Sequence, residues 1–138
     1  MEHKQLLTVF NSLPVGIGFF TADGTLVRCN ESFCRIFGAD SQTLLGNKLN
    51  INENSVVPDV VKEAVRRCVP VQMSFLYDFD KQRTDKRFFS TRTRTCYLKC
   101  NGNPLYDNDG KFVNYIFIFE DITETVKSEE VLRQSRRK

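Results

Sequence analysis

At 138 residues, with 41% hydrophobic and 27% charged side chains, the chain fits a single globular domain, and disorder is excluded as its ordinary state. A net charge of +3 demands no nucleic acid, and the five cysteines (Cys29, Cys34, Cys68, Cys96, Cys100) contain no CxxC pair, so neither a secreted disulfide framework nor a paired zinc site is indicated. No apolar run approaches the ~18 residues of a membrane span, and the opening MEHKQ lacks a signal-peptide pattern, so a reduced, cytoplasmic setting is expected.

Residues 3–12 place Leu6, Leu7 and Phe10 on one helical face, closed by Leu13-Pro14. Two short apolar runs, 15–20 and 25–29, flank Thr21-Ala22-Asp23-Gly24 and predict a hairpin. Asn30 then reads as an N-cap for a helix burying Phe33, Ile36 and Phe37, with Gly38 as its stop. Residues 39–54 suit short helices and connections around Leu44, Leu45, Leu49 and Ile51.

The clearest helical pattern is SVVPDVVKEAVRRC. Its apolar residues are Val56, Val57, Val60, Val61, Ala64, Val65 and Cys68, with Pro58 expected in the first turn. Three longer strands follow. The first, 71–79, alternates Val71, Met73, Phe75, Tyr77 and Phe79 against Gln72, Ser74 and Asp78, with Leu76 the exception. The second sets Cys96, Leu98 and Cys100 opposite Tyr97, Lys99 and Asn101. After a turn at 107–110, the third carries Val113, Tyr115, Phe117 and Phe119 on one side and Phe112, Ile116 and Ile118 on the other. A strand apolar on both sides predicts a sheet covered on both faces, the second cover being the first helix or a partner subunit. Asp121-Ile122-Thr123-Glu124 has the form of a capping box opening a charged terminal helix.

Two strands, several helices, three long antiparallel strands and an exit helix, together with LPVGI, Asn30 before a core helix, and NPLYDNDGKF…FEDIT, resemble the PAS domain family over about residues 3–125. The resemblance implies an α+β fold: a five-stranded antiparallel sheet with helices packed on one face, an N-terminal helix and a C-terminal exit helix. It divides the chain into an N-terminal helix (1–13), a core (14–122) and the start of a signalling helix (123–138) leading to an output domain absent from this chain. It implies a sensory or dimerising role, with Asp121, Ile122 and Thr123 matching the motif that ties the last strand to the exit helix. A sensor histidine kinase is the expected setting.

Chemistry of the chain's own is not expected. His3 is the only histidine and stands in a terminal stretch, so a catalytic triad has no positioned imidazole, and no P-loop or dinucleotide fingerprint appears. Haem-binding relatives use a histidine on the long helix; here only Cys68 offers a ligand, and a core role suits it better. Flavin-binding relatives carry a reactive cysteine in an NCRFLQ-like helix, which Asn30-Glu31-Ser32-Phe33-Cys34-Arg35 echoes only superficially. Haem and flavin are therefore disfavoured, no metal site is expected, and the cofactor stays open.

By analogy with the family, a small uncharged ligand would be lined by Val57, Val61, Val65, Met73, Phe75, Tyr77, Leu98, Cys100, Phe117 and Phe119. The same side chains can fill the core themselves, and their bulk favours that. Leu6, Leu7, Phe10, Ile116 and Ile118 are the candidate homodimer face. From Lys81 to Arg94, six basic residues stand against Asp85 alone. Phe88 and Phe89 raise nucleic-acid stacking or membrane contact, but a solvated hairpin explains the run without a partner. A redox switch through Cys96 and Cys100 is the weakest reading, because same-face strand positions four apart lie ~13 Å from each other. The two functional readings carried forward are a sensor relaying ligand or assembly state to an output domain, and a constitutive protein–protein docking module without ligand.

Overall fold

The computed structural model describes residues 2–82 and 90–136. Helix α1 (His3–Ser12) ends where Leu13 turns extended ahead of Pro14. Strands β1 (Gly16–Phe20) and β2 (Leu26–Cys29) form the expected hairpin. Helix α2 (Glu31–Phe37) starts at Asn30, whose side chain accepts from the Phe33 N–H at 3.0 Å. It stops at Gly38, which is left-handed at φ 69°. A Cβ on Gly38 would stand 2.5 Å from the Ser90 hydroxyl, so this stop needs glycine for its conformation and for its closeness to the neighbouring loop. Helix α3 (Ser41–Gly46) and a 3-10 turn (Ile51–Glu53) occupy the irregular stretch, as expected.

Helix α4 (Asp59–Arg67) begins later than its apolar pattern suggests, with Pro58 at the N-cap rather than inside the first turn. Proline disfavours helical backbone in the residue before it, and the Asn54 side chain accepts from the Val56 N–H at 3.0 Å, which holds 54–57 in a separate turn. Val57, Val61, Ala64 and Val65 are buried, whereas Val60 lies on the flank and stays 63% exposed. Cys68, expected in the core, is instead the half-buried left-handed C-cap, with its Sγ 3.4 Å from the Tyr106 hydroxyl.

Strand β3 (Val71–Asp78) ends one residue early. Asp78 accepts from the backbone N–H groups of Asp80 and Lys81 and so opens the short helix α5 (Phe79–Gln82), with Phe79 still fully buried. In the last hairpin, β4 (Thr95–Tyr106) pairs with β5 (Phe112–Asp121) until the register steps from Leu105–Asn114 to Tyr106–Phe112. Val113 is thus skipped and exposed, and Phe112 packs against the core, which reverses the expected sides of both residues. Helix α6 (Thr123–Arg136) follows directly.

The five strands form one antiparallel sheet in the order β2-β1-β5-β4-β3, so the first strand lies beside the last. Its inner face, under α2, α3 and α4, holds a single core that includes Phe20, Leu26, Phe33, Leu44, Val61, Tyr77, Leu98 and Phe117. A Cβ on Gly16 or Gly18 would come within 2.9 Å of Phe33 atoms, so the two glycines let α2 lie directly on β1.

Of the basic run, Lys81, Arg92 and Arg94 are among the described residues, whereas Arg83, Asp85, Lys86, Arg87, Phe88 and Phe89 lie outside them. On its flanks Lys81, Thr91, Thr93 and Arg94 are exposed, in keeping with a solvated loop, but two residues turn inward. Gln82 and Ser90 are buried, and the Arg92 guanidinium sits 4.8 Å from the centre of the Phe79 ring. Ser90 is drawn in by capping: it donates to the carbonyl oxygen of Phe37, and the Thr91 N–H donates to that of Gly38, closing the end of α2.

Candidate functional site

The sheet and helices bring eight of the ten expected lining residues into the buried core. Val57, Val61, Val65, Tyr77, Leu98, Cys100, Phe117 and Phe119 are buried, while Met73 and Phe75 are half-buried toward the β3 edge. Aromatic rings occupy most of the space between them. Phe33 and Phe37 lie 4.6 Å apart, Phe37 meets Tyr77 at 5.4 Å and Phe119 at 5.3 Å, and Phe117 stacks on Phe119 at 5.6 Å.

Among the described residues a cavity of about 30 Å³ lies between Phe20, Phe33, Phe37, Leu49, Ile51, Val57 and Phe119, with Asn50, Asn54 and Tyr77 as its polar side. That is the volume of one water molecule and far below that of a drug-sized pocket. Only Val57, Tyr77 and Phe119 of the expected set touch it. The sequence pattern does place Phe33 and Phe37 on a buried face. Asn54 was missed, because its role is to donate to the Tyr77 hydroxyl at 2.7 Å across the fold.

The second feature is the junction between sheet and exit helix. Asp121 accepts from the Thr123 N–H at 3.0 Å and from the Thr123 hydroxyl at 2.5 Å. The helix starts at Thr123, so Asp121 stands one residue ahead of the N-cap place that the capping-box reading gave it. Ile122 N–H donates to the Tyr97 carbonyl oxygen at 2.9 Å, and Tyr97 N–H donates to Thr123 Oγ1 at 3.0 Å. Ladder pairing with β4 thereby continues past β5 into the first residue of α6.

Sequence reasoning missed Arg92, which completes this junction. Its Nη1 lies 3.3 Å from Asp121 Oδ2 and donates to the carbonyl oxygen of Ile36 at 2.9 Å. Burial opposes ionisation of Asp121, but the hydrogen bonds from Thr123 and the Arg92 charge outweigh it and hold the carboxyl below its ordinary value. A continuous polar path therefore runs from the end of α2, whose Phe33 and Phe37 line the cavity, through Arg92 and Asp121 to the first turn of α6.

The third feature is the outer face. Phe10 packs on Phe19 at 5.9 Å, and register sets Phe19 beside Ile116 and Ile17 beside Ile118. Leu6 (53%) and Ile118 (38%) are exposed, and a shallow groove of about 230 Å³ runs between His3, Leu6, Leu7, Phe10, Phe19 and Arg28. Among the described residues, no group of three or more His, Cys, Asp or Glu side chains is placed to hold a metal ion, and no helix is long and apolar enough to cross a membrane. Neither Cys34 nor Cys68, the residues weighed for flavin and haem, touches the cavity.

A small aromatic core under a five-stranded sheet, with the last strand handed to an emerging helix, defines a compact α+β domain. The family signature of the PAS fold matches residues 10–127, and the chain belongs to that family. No curated protein sequence matches the chain. Among solved structures, it is similar to an RNA-binding light-oxygen-voltage receptor, at 19% identity and a TM-score of 0.71; the match covers 98% of this chain, which spans 37% of that receptor. It is also similar to a PAS domain from Colwellia psychrerythraea, at 16% identity, a TM-score of 0.65, and coverage of 88% of this chain and 97% of that one. The PAS domain of an HTR-like protein from Haloarcula marismortui matches at 22% identity and a TM-score of 0.59, over 86% of this chain and 96% of that one.

Proposed function

We propose that this domain is a sensory and dimerising module whose internal state is relayed through α6 to an output domain attached beyond it, a histidine kinase being the leading setting. The observation that carries this reading is the bridge from Ile36 through Arg92 to Asp121, which couples the helix lining the cavity to the start of α6. A change in the packing of α2 alters the position of the Ile36 carbonyl, and Arg92 transmits it to the angle at which α6 leaves the sheet. Leu6, Leu7, Phe10, Ile116 and Ile118 form the proposed contact between two copies. The test is hydrogen exchange at the α6 amides with Arg92 intact and as Arg92→Ala. Faster exchange confined to 122–127 supports the relay, whereas unchanged exchange there overturns it.

The cavity volume favours a second reading, a constitutive docking module that binds no ligand. A thermal-shift screen of small metabolites, with native mass spectrometry of the purified chain, separates the two. A co-purified or stabilising small molecule supports sensing, and a flat screen supports docking.

A further inference from the structure

The strand spacing of Cys96 and Cys100 disfavours them as a redox pair, and the fold buries both in the core. It brings a different pair together. Cys29, at the end of β2, and Cys34, in the second turn of α2, have their sulfurs 3.9 Å apart, and both residues are half-buried. We propose that Cys29 and Cys34 are a site of reversible disulfide formation, a clip across the Asn30 cap.

Two observations besides the distance support it. Cys34 borders an open surface depression with Arg35, Gly38, Ala39, Asp40 and Thr91, so a small disulfide can reach its sulfur from solvent. Cys29 is not among the residues lining that depression and is the resolving thiol. The chain between them carries Asn30, buried and fully hydrogen-bonded. It accepts from the Ile17 and Phe33 N–H groups and donates to the carbonyl oxygens of Phe10 and Val15, at 2.9 to 3.0 Å. A bond across this residue ties oxidation to the joint between α1, β1 and α2.

The chemistry balances with a low-molecular-weight disulfide as oxidant. The Cys34 thiolate attacks one sulfur of that disulfide, forming a mixed disulfide and releasing one thiolate. The Cys29 thiolate then attacks the Cys34 sulfur, forming the internal bond and releasing the second thiolate. Two protein thiols are oxidised, one external disulfide is reduced to two thiols, and the two protons lost by the protein go to those thiols. Closing the bond needs the sulfurs to approach from 3.9 Å to ~2 Å, within reach of χ1 rotation and a small shift of α2. Burial, with Cys34 beside it, pushes the Cys29 thiol up to about 12, and burial also raises that of Cys34, so the exchange is slow at neutral pH.

The test is incubation of the folded chain with oxidised glutathione, alkylation of the remaining thiols and peptide mapping. The expected product has lost two thiols, carries its bond between Cys29 and Cys34, and reverts with dithiothreitol. Cys29→Ser stops at a glutathione adduct on Cys34, and Cys34→Ser gives neither internal bond nor adduct at Cys29. Cys→Ala versions of both variants repeat the comparison if a serine unfolds the chain. Five alkylated cysteines after prolonged exposure, a bond mapped elsewhere, or an unresolved adduct on Cys34 in the unsubstituted chain would each overturn the proposal.

Discussion

The side-chain amide of Asn30 donates to the carbonyl oxygen of Phe10 at 2.9 Å, joining the end of the first helix to the start of the second across twenty residues of chain. With its bonds to Val15, Ile17 and Phe33, every principal hydrogen-bonding capacity of the amide is in use inside the protein. Asn30→Ala removes the cap and leaves buried backbone donors and acceptors without partners. A loss of about 3 kcal/mol in urea unfolding is expected, from a cap worth ~1 kcal/mol and orphaned groups worth 1–3 kcal/mol. Asn30→Asp should do no better, because a carboxylate cannot donate to the Phe10 and Val15 carbonyls. A loss under ~1 kcal/mol for Asn30→Ala would show that the hub is not energetically connected.

Arg92 and Asp121 should be coupled. Both side chains are about two-thirds covered, which screens their attraction less than at an open surface. A double-mutant cycle of Arg92→Ala and Asp121→Asn is expected to give a coupling energy of roughly 1 kcal/mol. Zero coupling would reduce the pair to two independent caps.

Acid should weaken the same junction. The folded-state pKa of Asp121 lies below the unfolded value of about 3.9, so the unfolded chain takes up the proton first as pH falls. Its contribution to stability is complete above that unfolded value and is lost as pH falls through the folded one. Asp23, bonded by the side chains of Thr21 and Thr25, and Asp40, bonded by the backbone of Thr43, are lowered in the same direction and add to the slope. Asp121→Asn should flatten the pH dependence of urea unfolding on the acid side, as pH falls below about 5 and the unfolded carboxylates begin to protonate.

The aromatic core should accept a guest only after it is opened. Phe37→Ala removes a ring that lines the 30 Å³ cavity and is expected to cost about 3–5 kcal/mol. A variant that stays folded should then be stabilised by benzene in a thermal-shift assay, with no such shift in the unsubstituted chain. A shift of equal size in both would mean that the core already opens to ligands.

The outer face should carry self-association. Ile118→Glu and Leu6→Glu change exposed positions, so the stability of the isolated monomer is expected to move by no more than ~0.5 kcal/mol. Sedimentation should show the assembly of the unsubstituted chain shifting toward monomer in both variants. Identical sedimentation for all three chains would dismiss this face as the contact.

Local chemistry was enough to read most elements directly from the chain. Asn30 and Gly38 bound a helix because their side-chain and backbone preferences act within four residues, and the strand alternation of 71–78 and 95–101 follows from the two-residue repeat of a pleated backbone. Sequence also carried the family assignment, through the order of elements and the FEDIT closure. Three departures arose where a competing turn, a bulge or a distant partner overrode the periodic pattern: Asn54 holding back the start of α4, the skipped Val113, and the Ser90 cap on α2. Only the tertiary structure could decide that Arg92 spans from Ile36 to Asp121, that the rings close the cavity to the size of a water, and that Cys29 meets Cys34. Periodicity reports which way a side chain faces, but packing and hydrogen bonding between segments far apart in the chain set what it meets there.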